Sequence, residues 1–213
     1  MELIKKSFSA GLLISLGGTV YLTIENKIVG AFLFSIALFS ICYFKCYLFT
    51  GKVGYISGIK NIPNYMAIWL GNFIGCSVGA IAIRIAKPDI VDKANRLMQI
   101  KISQSYVQAL ILGFLCGVLM YIAVEQFSVR ESGFEKVFSI FICIPVFILS
   151  GFEHCIADIF YSAVAIKHIN DIFIYLIYVI IITFGNTIGA ISARKLLGKG
   201  GDKNADFKLN KSY

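Results

Sequence analysis

The chain has 213 residues, of which 58% are hydrophobic and 15% charged, with a mean hydropathy of +0.79 and a formal net charge of +8. A soluble domain is nearer half apolar and a quarter charged, so this composition marks an integral membrane protein. The positive balance does not point to nucleic acid, because the lysines lie in connections and at the C-terminus rather than on an aromatic-laced basic face. Beside apolar segments, such an excess is first a topology signal.

Lys5-Lys6 ahead of an apolar run resembles a signal peptide, but no clear cleavage site follows Gly17-Gly18, and the run reads as a first span. Uncharged windows cover residues 7–24, 28–44, 62–83, 102–124, 137–152 and 172–193, which predicts six transmembrane helices. Glu25-Asn26-Lys27 joins the first two as a tight hairpin, and residues 84–101 form a basic connection between the third and fourth. The second window runs on to an interruption at Thr50-Gly51-Lys52. The fifth is interrupted at Ser150-Gly151, ahead of Glu153 and His154. Ionisable residues at that depth are expensive, and irregular backbone is tolerated only where it lines a cavity, so the stretch reads as a broken helix lining a pore. The rival reading is a re-entrant interfacial loop with a bystander histidine. Residues 196–213 are polar, lysine-rich and read as a cytoplasmic tail.

Three short echoes relate the halves. Leu48-Phe49-Thr50-Gly51 resembles Ile148-Leu149-Ser150-Gly151, Gly71-Asn72-Phe73-Ile74-Gly75 resembles Gly185-Asn186-Thr187-Ile188-Gly189, and residues 10–18 resemble 109–117. The expectation is an inverted three-plus-three repeat, about 5–86 and 102–195, forming one channel domain over 1–195 with helices two and five broken. Glycines at four-residue spacing, such as Gly71, Gly75 and Gly79, predict tight helix packing. Most Lys/Arg fall on one side if both termini are cytoplasmic, although the basic connection at 84–101 would then lie outside.

The cysteines all sit in apolar segments without a C-x-x-C pair and read as packing residues. With two histidines in the chain, no metal site and no cofactor are expected. A membrane-embedded enzyme using His154 with Cys155 or Asp158 is the first rival class. A neutral-solute channel of aquaporin type is the second, although no paired Asn-Pro-Ala motif occurs. His168, beside Asn170 and Asp171, reads as a loop residue.

Leu48-Phe49-Thr50-Gly51, the two Gly-Asn-x-x-Gly stretches and Gly151-Phe152-Glu153-His154-Cys155-Ile156-Ala157-Asp158 resemble the formate/nitrite transporter family over nearly the whole chain. The resemblance implies an aquaporin-like all-α membrane fold, a homopentamer in the cytoplasmic membrane with one pore per protomer, and no enzyme activity. The cargo it implies is a small anion, formate or nitrite, with hydrosulfide as the alternative. It also implies His154 as the central pore histidine, with Thr50 facing it and Phe49 and Phe147 forming an apolar constriction. Leu38, placed by its spacing from Thr50, belongs to a second constriction, and Lys101 resembles the vestibule lysine. A plain snorkelling role for Lys101 is the rival. Glu153, Asp158, Asn72 and Asn186 are expected to support these residues. The chain departs from the family pattern at Lys45, Tyr47, Lys52 and Asp158, which alters charge around both interruptions. The expected mechanism concentrates anions at a positive vestibule and passes them through the apolar rings as neutral acids after protonation near His154. Its reference pKa of about 6.5 suits proton exchange near neutrality.

Overall fold

The computed structural model describes residues 1–129 and 132–198, and among these there are helices and no strands. The tail expected over 196–213 lies outside the described residues from position 199 on. The described part shows Leu196 and Leu197 still helical.

In chain order the α-helices are α1 (Glu2–Thr23), α2 (Lys27–Tyr43), α3 (Phe49–Lys52), α4 (Ile62–Ala86), α5 (Ile90–Ile102), α6 (Tyr106–Val129), α7 (Gly133–Leu149), α8 (Cys155–Ala165) and α9 (Ile169–Leu197). Two 3-10 turns, Val53–Tyr55 and Ile59–Asn61, join α3 to α4. Among the described residues three helical stretches are long and apolar enough to cross a membrane: Ile59–Ala86, Tyr106–Val129 and Ile169–Leu197. The shorter apolar helices include α2 and α8. At about 1.5 Å per residue, the 17 residues of α2 or of α7 rise roughly 25 Å, a little short of a hydrocarbon core.

The boundaries depart from the sequence reading in three places. α2 ends at Tyr43, so Thr50 and Gly51 do not interrupt it; they lie inside α3, after a non-helical stretch at 44–48. Residues 84–101 are not a plain connection, because α5 occupies most of them. α5 also takes Ile102, so the next apolar helix begins at Tyr106. Ile90, Ala94 and Met98 are buried at four-residue spacing along α5 while Asp92 and Arg96 are exposed, the pattern of an amphipathic helix.

α1 packs against α4, and α6 against α9, with the closeness that small residues allow. A β-carbon at Gly75 would fall on the carbonyl oxygen of Phe8, and one at Gly189 on the carbonyl oxygen of Phe114. The outer faces carry large apolar side chains left exposed, including Phe32 and Ile36 on α2, Phe138 and Ile142 on α7 and Phe184 on α9. Lipid or a neighbouring subunit can cover such faces at no cost in polar desolvation.

Candidate functional site

The two irregular stretches beyond α2 and α7 are built alike. Phe44 N–H donates to Ser40 O, Lys45 N–H to Cys42 O and Cys46 N–H to Ile41 O. Ser150 donates to Val146, Gly151 to Ile148 and Phe152 to Phe147 in the same pattern. Each is a C-cap with its pivot in the left-handed region, Lys45 at φ 53° and Gly151 at φ 69°. Tyr47 N–H then donates to Lys6 O, and Glu153 N–H to Leu112 O, both at 3.3 Å.

Asn72 and Asn186, both fully buried, hold the chain just beyond each cap. Asn72 Oδ1 accepts from Phe49 N–H at 2.8 Å, and its Nδ2 donates to Ser7 O and Tyr47 O. Asn186 Oδ1 accepts from Cys155 N–H at 2.9 Å, and its Nδ2 donates to Gly113 O and Glu153 O. Each amide thus satisfies one orphan N–H at the start of a short helix and two carbonyls that a bilayer could not solvate. These bonds pair Tyr47 with Glu153, Phe49 with Cys155 and Ser7 with Gly113. The echoes of 48–51 with 148–151 and of 10–18 with 109–117 are therefore out of register. The echo between the stretches around Asn72 and Asn186 is in register.

His154 is the N-cap of α8. Its Nδ1 accepts from Ala157 N–H at 3.1 Å, and its Nε2 lies 2.8 Å from Thr50 Oγ1. Because the amide can only donate, a neutral ring carries its proton on Nε2, which points at Thr50. Phe147 stacks on the imidazole with centroids 5.7 Å apart, and Phe34 meets Phe147 edge-on at 6.4 Å.

A cavity of about 200 Å³ reaches His154, lined by Tyr21, Phe34, Lys101, Phe147, Glu153 and Asp158 among others. Lys101, at the end of α5, is ion-paired with Glu153 and lies 3.0 Å from Asp158 Oδ1. Asp158, one turn along α8 from His154, is thus directed at Lys101. Beside this cavity, and sharing Tyr21, Leu97 and Ile100 with it, is a second of about 390 Å³ with Lys27, Lys93 and Arg96 in its wall. α5 is tethered by Asp92, which takes Lys167 Nζ at 2.7 Å; that hydrogen bond and charge hold the Asp92 carboxyl below the usual range. Asn95 adds a bond to Ala165 O at 3.3 Å.

Of the residues expected at the site, His154, Thr50, Phe147, Lys101, Glu153 and Asp158 come together here. Phe49 and Leu38 are buried but do not line this cavity. Phe34, Tyr21 and Gln104 were not expected. Gln104 lies three residues after Lys101 and could have been found that way, whereas Phe34 is one apolar residue within an apolar helix. No group of three or more His, Cys, Asp or Glu able to hold a metal occurs among the described residues.

Apolar helices packed through glycines, with Glu153, His154 and Asp158 buried around one cavity, define a helical multi-pass membrane protein. The chain belongs to the formate/nitrite transporter family, whose model matches residues 1–197. It is 27% identical to the formate channel FocA of Haemophilus influenzae, over 71% of this chain and 62% of that protein. It is 24% identical to the formate-nitrite transporter of Plasmodium falciparum, over 84% of this chain and 70% of that one. The chain therefore spans a little under two thirds of the length of the Haemophilus relative. Among solved structures it superposes on a pentameric formate channel with formate bound at a TM-score of 0.79, covering 92% of this chain and 94% of that one at 22% identity. A second, an FNT family ion channel, gives a TM-score of 0.80 at 23% identity, covering 89% and 85%. At these identities the likeness shows the fold.

Proposed function

We propose that this protein is a channel for small monovalent weak-acid anions, formate or nitrite, which cross its apolar constrictions after protonation near His154. The observation that carries this reading is the Thr50–His154 pair at the inner end of a cavity whose wall carries Lys101. The names of the relatives, formate channels and formate-nitrite transporters, favour the same cargo. A bare anion in a medium of ε about 4 costs tens of kcal/mol, so it must be solvated by the protein or neutralised. Lys27, Lys93 and Arg96 collect anions at the outer cavity, and Lys101 draws them inward. The positive N-terminal end of α8 favours negative charge beside His154. Thr50 keeps its own hydroxyl hydrogen to donate while accepting from Nε2. Phe147 and Phe49 then form one apolar constriction for the neutral acid, and Leu38 belongs to the other.

The spans in this reading are α1, α2 with α3, α4, α6, α7 with α8, and α9. They form two inverted halves, with α5 between them and the helical ends at 43 and 149 as the breaks. Both termini are cytoplasmic, and the protein assembles as a homopentamer in the cytoplasmic membrane with a pore in each protomer. The matching bonds of Asn72 and Asn186 support the halves, and the pentameric state of the similar formate channel supports the assembly.

Purified protein in liposomes, offered formate, nitrite and hydrosulfide at two pH values, tests the reading. Acid-coupled uptake of formate or nitrite is expected, with hydrosulfide slower. His154→Phe, which removes both ring nitrogens, is expected to abolish it. Water or glycerol flux without anion uptake would establish the neutral-solute channel, and hydrosulfide alone would reassign the cargo.

A further inference from the structure

Lys101, Glu153 and Asp158 place one ammonium and two carboxyls on the wall of the cavity that ends at His154. The carboxyls are not supplied alike. Glu153 receives Lys101 Nζ on one oxygen and Gln104 Nε2 on the other at 3.0 Å, and Tyr178 orients Gln104 through a 3.3 Å bond. Asp158 is 1% exposed; its Oδ1 shares the same ammonium at 3.0 Å, and no described group donates to Oδ2. One ammonium cannot neutralise both carboxylates, and a buried carboxylate left short of partners takes up a proton instead. The proton belongs on Asp158, which only shares that ammonium on Oδ1 and has no described donor on Oδ2. A protonated Asp158 makes the cluster neutral and turns an idle acceptor into an O–H donor at the cavity wall.

His154 is placed differently. Its Nδ1 is occupied by Ala157 N–H and its Nε2 proton is engaged with Thr50, so the neutral ring could give up a proton only by becoming an imidazolate.

We propose that Asp158 is the proton-carrying carboxyl of this channel, holding a proton beside Lys101 and Glu153 and passing it to the weak-acid anion in the cavity. This rests on the anion-channel reading above. With formate, the O–H bond at Asp158 breaks as one forms on the formate oxygen, leaving a carboxylate and formic acid. Water in the cavity then restores the proton, and no electrons change hands. Formate stripped of water in the same cavity favours its neutral form as the buried Asp158 does, so the proton passes between two carboxyl groups that are both costly to leave charged there.

The charged groups facing Asp158 are Lys101 on α5 and Glu153 in the loop before α8. Uncharged titratable groups face it from the other packed helices: Tyr21 of α1 across the cavity, Cys116 of α6 and Tyr178 of α9. On its own element they are Tyr161, Cys155 and the capping His154. α4 contributes Cys76 near Ile156, and α3 contributes Thr50, which does not titrate.

The test uses the full chain in liposomes with formate as the probe, a trapped pH dye, and infrared spectroscopy of the same samples. In wild type, proton-coupled uptake should level off as pH falls, once Asp158 is protonated. Asp158→Asn should lower uptake near neutrality by at least about tenfold, within what a general acid contributes, and remove the plateau, leaving a rate that tracks bulk proton concentration. Asp158→Glu should restore part of both. A protonated-carboxyl C=O stretch, shifted in deuterium oxide, should be present in wild type at neutral pH. It should be missing in Asp158→Asn and equally in Glu153→Gln, where one ammonium suffices for the remaining carboxylate. If wild type carries formate with protons and Asp158→Asn matches its rate and profile, the proposal is wrong and the channel reading stands. Absence of the wild-type band also overturns the proposal. If wild type carries no weak-acid anion at all, the channel reading falls and takes the proposal with it.

Discussion

The stretch from Ile41 to Phe49 and the stretch from Phe147 to Cys155 make the same backbone bonds with different side chains. Each helix ends on a left-handed residue, each chain then bonds to α1 or α6, and each short helix beyond has its first N–H held by a buried asparagine. The contents diverge where the hydrogen bonds do not reach. Leu48 caps α3 where His154 caps α8, Tyr47 stands where Glu153 stands, and α3 has 4 residues where α8 has 11. The backbone bonds therefore recur in both stretches, whereas a carboxylate and an imidazole occur in the second only.

The largest effects are expected where the scaffold is backbone against backbone. Gly189→Leu and Gly75→Leu would drive a side chain into the carbonyls of Phe114 and Phe8. Neither oxygen can swing away as a side chain could, so the cost should exceed about 3 kcal/mol, above the usual range for overpacking. Thermal unfolding in detergent should show both variants strongly destabilised and prone to aggregate. A mild effect at one site and a severe one at the other would mean that α1–α4 and α6–α9 are not equivalent contacts.

Next come the asparagines. Asn186→Leu strands Cys155 N–H and the carbonyls of Gly113 and Glu153, and Asn72→Leu strands Phe49 N–H and the carbonyls of Ser7 and Tyr47. At roughly 1–3 kcal/mol for each buried unsatisfied group, losses of about 3 kcal/mol are expected in both, partly relieved by local water. The functional outcomes should separate. Asn186 fixes the residues on either side of His154, so its loss should reduce transport more than the loss of stability alone predicts. Equal transport per folded protein in the two variants would show that the second break has no special claim on the chemistry.

The long apolar helices were legible because a helix facing lipid and close-packed neighbours is apolar on every side, and 58% hydrophobic content leaves little else to read. The non-helical stretch between α7 and α8 was legible because Glu153 and His154 stand out in an apolar run. The first was misplaced because its pivot is Lys45: a left-handed C-cap is recognised by its glycine, and here there is none. Thr50-Gly51 offered a glycine nearby, and that glycine is a helical residue packed against Val124. α5 was missed because its charges look like a connection, although Ile90, Ala94 and Met98 recur at helical spacing. The echoes failed where they rested on Gly, Ser and Ala, which recur throughout tightly packed membrane helices, and held where they rested on asparagine, which does not.

The smallest expected effect separates the two breaks by sign. Lys45 at φ 53° and Gly151 at φ 69° occupy matching positions, and a residue with a β-carbon is strained there by roughly 1 kcal/mol or more. Lys45→Gly removes that strain but gives the unfolded chain more freedom, an opposing term of about 0.4–1 kcal/mol. The net gain should be a few tenths of a kcal/mol, less whatever the lysine side chain contributes through its own contacts. Gly151→Ala runs the other way. No atom lies within 4 Å of an added β-carbon, so crowding contributes nothing, and the loss is strain minus the same entropy term. Small opposite shifts in the detergent melting temperature are therefore expected, upward for Lys45→Gly and downward for Gly151→Ala, with assembly unchanged in both. The double variant should fall close to wild type, because two ends held by separate helices and separate asparagines ought to add independently. A downward shift for Lys45→Gly would mean that the lysine side chain holds the first break more strongly than its backbone strains it. The two breaks would then be alike in their bonds and unlike in what keeps them in place.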